Sequence, residues 1–132
     1  MKRFSLISGA ILGLLGVAFG AFGAHALKPM LLQSGRLDTF ELAVRYQFYH
    51  AFALLATGLL INLYPSRSFG YSSICFLAGI VFFSGSLYAL SFTGIDVLGA
   101  ITPIGGFLLI IGWSFLLLGI WNIKKPLDRG AH

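Results

Sequence analysis

Long apolar runs separated by short polar segments dominate the chain. Four runs, at about 4–26, 40–63, 71–92 and 97–123, reach the roughly 20 residues a helix needs to cross a hydrocarbon core. "YPSRSFG" at 64–70 and "TGID" at 93–96 read as turns, which leaves 27–39 as the one substantial loop. Short connections make successive spans antiparallel neighbours. The predicted architecture is all-α: a single domain over 1–132 with four antiparallel transmembrane helices in a compact bundle.

Small residues add a packing pattern to these runs. Gly9, Gly13, Gly16, Gly20 and Gly23 alternate spacings of four and three, so all five fall on one stripe of a slightly underwound helix. Ser72, Cys75, Gly79, Phe82, Ser86, Ala89 and Thr93 repeat the rhythm, and Gly105, Gly112 and Gly119 recur every seven residues. In lipid, where apolar side chains gain nothing by leaving the solvent, helices associate by close contact, and small residues allow it. A seven-residue period predicts a left-handed supercoil with a crossing angle near about +20°. The stripe on the first span is also a candidate homo-oligomer face, or a contact with a larger membrane complex.

Composition agrees with the pattern. The chain is 58% hydrophobic and 10% charged, against about 45–50% and about 25% in soluble domains. Its net charge of +5 does not mark a nucleic-acid surface, because the basic residues sit at the edges of the apolar runs. Four spans put both termini on one side with the 64–70 turn. That side holds Lys2, Arg3, Arg67, Lys124, Lys125 and Arg129 against Asp128, a net +5. The other holds Lys28, Arg36 and Arg45 against Asp38, Glu41 and Asp96, a net zero. The positive-inside rule then predicts cytoplasmic termini in a bacterial inner membrane, with lipid as the surrounding partner. Lys2, Arg3 and the "AHA" at 24–26 also resemble a secretory signal peptide, but the apolar run exceeds the roughly 7–15 residues of such a segment. The lone Cys75 offers neither a disulfide nor a thiolate metal set, and no cofactor is expected.

The second run opens on "RYQFYHA" at 45–51, an unusual density of polar groups for a lipid-facing segment. Asp38 and Glu41 have the spacing of a capping box, and Glu41 precedes Arg45 by four residues, which favours an ion pair. At 100° per residue Tyr46, His50, Ala53 and Thr57 share one stripe, away from Glu41 and Arg45. Counted from the apolar boundary, His50 is expected about 6–10 Å below the outer interface. His25, Tyr88, Ser86 and Thr102 close or open the other spans at the same end, while the cytoplasmic half offers mainly Thr57 and Asn62. The predicted candidate pocket is thus His25, Arg45, Tyr46, Gln47, Tyr49, His50, Ser86, Tyr88 and Thr102, all at the outer end.

The chemistry this pocket could perform is limited. His25 and His50 could in principle ligate haem, but both lie at one end without a second pair. A proton-coupled carrier wants a midplane acid, and every carboxylate here is terminal or in a loop. A nucleophile oriented by a base is not distinguishable, so no catalytic residue is assigned. The favoured reading is a non-enzymatic bundle that binds a small ligand, lipid or partner subunit at the polar pocket. The alternative is a small proton-linked transporter or channel titrating at His50.

"GAFGAHALK" at 20–28, "RYQFYHAFALL" at 45–55, "FSGSLYAL" at 83–90 and "GAITPIGG" at 99–106, with "GW" at 112–113, resemble the family known as domain of unknown function 423. The resemblance runs through the whole chain in order. It implies a small inner-membrane protein with four spans, and it implies no activity, since none is established for the family. The family pattern falls on His25, Arg45, Gln47, Tyr49, His50, Ser86, Tyr88, Thr102 and Pro103.

Overall fold

A computed structural model describes residues 1–124; Lys125, Asp128 and Arg129, which enter the charge count above, lie outside them. The described residues form helices α1 (Lys2–Ala24), α2 (Lys28–Gln33), α3 (Leu37–Leu63) and α4 (Arg67–Thr93), a 3-10 turn over Asp96–Ala100, and α5 (Thr102–Trp121). Helix α1, helix α4 and the stretch Asp96–Trp121 are long and apolar enough to cross a membrane. Helix α3 is as long as α4, but Gln47, His50 and Asn62 interrupt its apolar run.

Local chemistry moves several expected boundaries. The 27–39 loop contains α2, opened by Pro29 in its first turn. Gly35, with φ of 70°, then turns the chain directly into α3, because glycine enters the left-handed region without a Cβ clash. Arg36 therefore stands at the N-cap and makes no side-chain capping bond. The capping box expected from Asp38 and Glu41 does not form; Asp38 lies in the first turn, where its charge still complements the helix dipole. Glu41 and Arg45 are exposed and do not pair with each other. The 64–70 turn is shorter than expected, since the Ser66 hydroxyl accepts from the Ser68 amide and starts α4 at Arg67. Gly94, with φ of 67°, ends α4.

The helices do not close into the expected compact bundle. Helices α3 and α4 are the central pair, α1 packs on α3, α5 packs on α4, and α1 and α5 share no extensive interface. The reason is visible in the seams. Gly112 and Gly119 of α5 each lie against a phenylalanine of α4, Phe76 and Phe69, and Gly105 lies against the Phe83 backbone. The two heptad series run in opposite directions, as antiparallel packing requires. Leu109 enters the gap left by Gly79 in the same interface. Across the other seam, Gly9, Gly16 and Gly23 of α1 receive Leu55, Phe48 and Phe40 of α3.

The five-glycine stripe is thus not continuous. Gly9, Gly16 and Gly23 are buried against α3, whereas a Cβ at Gly13 would meet nothing. A 3.6-residue helix drifts relative to an alternating stripe, so its heptad subset makes the closest contacts, while Gly20 touches Val44 more loosely. Gly9, Gly16 and Gly23 of that stripe are thus taken up by α3 of the same chain.

Candidate functional site: a mid-helix histidine beside an aromatic groove

Helix α3 supplies the site because it is one of the two central helices, packed between α1 and α4. A polar side chain there must find a partner, since lipid and packed hydrocarbon provide none. Gln47 and His50, three residues apart, diverge by about 60° around the helix and reach different neighbours.

Gln47, 2% exposed, is a three-helix junction. Its Nε2 donates to the Leu12 carbonyl of α1 at 2.8 Å, and its Oε1 accepts from the Tyr88 hydroxyl of α4 at 2.7 Å. Tyr88 also packs on Phe19 and Phe40, with centroids 4.8 and 5.2 Å away.

His50, 5% exposed, faces the other way, against Phe76 and Trp113. Its Nε2 accepts from Trp113 Nε1 at 3.1 Å, while its Nδ1 lies 2.7 Å from the Tyr46 carbonyl. An indole N–H can only donate and a carbonyl can only accept. Both contacts are satisfied together only by the neutral ring with its proton on Nδ1. An imidazolium would set N–H against N–H at Trp113, which speaks against His50 as a proton carrier.

Beside His50 a groove of about 620 Å³ opens between α3, α4 and α5, walled by Tyr46, Tyr49, Phe83, Phe107 and Trp113. Tyr46 stacks on Phe83 at 4.3 Å. Neither the Tyr46 nor the Tyr49 hydroxyl has a hydrogen-bond partner among the described residues.

The expected single outer pocket is therefore divided. Tyr46, Tyr49 and His50 border the groove; Gln47 and Tyr88 form the junction on the α1 side; Ser86 and Thr102 pair with each other at 2.6 Å between α4 and α5. His25 and Arg45 are exposed and join none of these groups. His50 lies thirteen residues beyond Leu37, about 20 Å along the helix at 1.5 Å per residue, at the midpoint of α3.

The profile of the family described as "Protein of unknown function (DUF423)" matches residues 19–106. The chain belongs to the DUF423 family. It is 45% identical over 123 residues to a UPF0382 membrane protein of Staphylococcus saprophyticus, covering 93% of this chain and 100% of that one. A Staphylococcus aureus UPF0382 membrane protein is 46% identical over 122 residues, covering 92% and 98%. The UPF0382 inner membrane protein YgdD of Escherichia coli K12 is 36% identical over 126 residues, covering 94% of each chain. No solved structure matches. This DUF423 chain is a membrane protein, and Gln47, His50, Tyr88 and Thr102 fall within the matched residues.

Sequence reasoning missed Trp113 as the partner of His50 in this DUF423 protein. A signal was present: Trp121 sits at the end of α5 where interfacial belts lie, whereas Trp113 sits mid-helix, where its N–H needs an acceptor. It also missed polar contacts in the half nearer the termini. Ser5 donates to Ser73 at 2.6 Å, Ser72 to the Gly112 carbonyl at 2.8 Å, and Lys2 to Asn62 at 2.9 Å. The polarity is distributed along the helices, not gathered at one end.

Proposed function

We propose that the chain is a non-enzymatic, multi-pass protein of the inner membrane that takes up a small lipophilic ligand from the bilayer in the groove between α3, α4 and α5. The reading rests on one observation, an aromatic-walled groove of about 620 Å³ bordered by two tyrosine hydroxyls without partners among the described residues. Aromatic walls suit a flat apolar body, and phenolic hydroxyls suit an acceptor oxygen on it. The volume lies within the roughly 300–1,000 Å³ common for small-molecule sites.

Four spans with cytoplasmic termini complete the proposal. Helix α3 is less apolar than the others, but Gln47 and His50 are bonded to neighbouring helices, which lowers the cost of placing them in lipid. The heptad glycine seams suit left-handed packing. Labelling with a membrane-impermeant maleimide in a Cys75→Ser background tests the orientation. Ser34→Cys is labelled from outside intact spheroplasts, and Lys124→Cys only after lysis; the reverse pattern refutes the topology.

Native mass spectrometry and visible absorption of the gently purified protein test the groove. Ile110 borders it and is 63% exposed, so Ile110→Trp fills the groove without entering the core. The wild type retains a lipophilic species that Ile110→Trp loses. Equal retention by both, or no species beyond bulk lipid, refutes the reading.

A further inference from the structure

A second groove, of about 580 Å³, lies at the opposite end from the α2 connection, where α4 begins. Its walls are Met1, Ile61, Pro65, Tyr71 and Ile74, and its rim is Ser66 and Arg67. Arg67, Tyr71 and Ile74 follow at four and three residues, so the cation and the apolar wall are successive turns of one helix face. The groove therefore has a charged head and an apolar body. Among the described residues this end carries Lys2, Arg3, Arg67 and Lys124 and no carboxylate, and Arg67 has no acidic partner. Lys2 is tied to Asn62, just before the Tyr64–Ser66 connection, and Lys124 borders the recess on the other side of Pro65 and Ser66. The Ser66 hydroxyl uses its oxygen to accept from Ser68, which leaves its proton to give.

We infer that this groove binds one anionic phospholipid, with its phosphate on the Arg67 guanidinium and the Ser66 hydroxyl and one acyl chain along Tyr71, Ile74 and Ile61. A guanidinium offers paired donors to phosphate oxygens. With no carboxylate among the described residues at this end, the Arg67 guanidinium selects against a zwitterionic headgroup, whose ammonium it repels. The inference is independent of the ligand groove between α3, α4 and α5, which lies nearer the middle of the helices.

The full-length protein in mild detergent is offered phosphatidylglycerol or phosphatidylcholine with identical acyl chains, and bound lipid is counted by native mass spectrometry. One guanidinium near a headgroup corresponds to a preference of at least about five-fold for phosphatidylglycerol. Arg67→Ala abolishes this preference, whereas Arg3→Ala, which removes an exposed cation outside the groove, leaves most of it. Ile74→Trp, at an exposed position on the groove wall, lowers phosphatidylglycerol occupancy with every cation still in place. Equal binding of the two lipids overturns the inference. So does equal loss in Arg3→Ala and Arg67→Ala, which would mean diffuse surface charge, or displacement of the lipid by glycerol phosphate, which would mean a free-anion site.

Discussion

Trp113 Nε1 donates to His50 Nε2 across 3.1 Å, linking the middle of α5 to the middle of α3 over the edge of α4. These two helices share little other contact. The bond gives the indole its acceptor and sets the histidine tautomer, because the other ring nitrogen is committed to the Tyr46 carbonyl. Trp113→Phe keeps an aromatic ring, though a smaller one, and removes the donor. It is expected to destabilise the protein by about 0.6–1.7 kcal/mol, the range of interhelical hydrogen bonds in membranes. Nitrogen-15 spectra of His50 report the tautomer: Nδ1 carries the proton in the wild type. A wild-type spectrum with the proton on Nε2 would contradict the assignment.

Gln47 and Tyr88 give a second coupling, on the opposite side of α3. Tyr88→Phe removes only the hydroxyl that Gln47 Oε1 accepts, so the ring keeps its contacts with Phe19 and Phe40. A double-mutant cycle with Gln47→Leu should show a coupling of about 0.5–1.5 kcal/mol. The same cycle between Tyr88→Phe and Trp113→Phe should show none, since the two bonds share no atoms. Denaturation in mixed micelles measures both.

Glycines in one chain should differ sharply in their tolerance of a methyl group. A Cβ at Gly105 would fall on the backbone of Phe83, which cannot rotate aside, so Gly105→Ala must separate α4 from α5. A loss of about 1–3 kcal/mol is expected, as for overpacked cores. Gly13→Ala meets nothing and should be neutral, or stabilise by up to about 1 kcal/mol through helix propensity. Comparable destabilisation at the two sites would contradict the seam described above.

Arg36 and Asp96 join the α2–α3 corner to the turn before α5 at 2.7 Å, the one ion pair among the described residues. The Asp96 side chain is 88% exposed, so water screens the attraction. Asp96→Asn should cost less than about 1 kcal/mol, and raising the salt concentration should erase the difference. A larger or salt-independent loss would show that the pair holds the two connections together in a way its exposure does not suggest.

Much of this structure can be read from residue order alone. Apolar run length decides that the chain is helical and bound for a membrane, because only a helix satisfies its backbone within one segment of lipid. Turn chemistry at Gly35, Ser66 and Gly94 is local, so the helix ends depend on a few neighbouring residues. The inward turn of His50 and the outward turn of Glu41 and Arg45 also follow from helical angle. Pairing is different. Whether Gly13 or Gly16 meets α3, whether Gln47 reaches α1 or α5, and whether His50 finds Tyr88 or Trp113 depend on the register and rotation of helices that are apolar nearly all round. A side chain's angle on its own helix says nothing about which helix stands opposite, and hydrophobicity cannot choose when lipid and protein are equally apolar. Close packing of phenylalanine against glycine makes that choice, and it exists only once the helices are together.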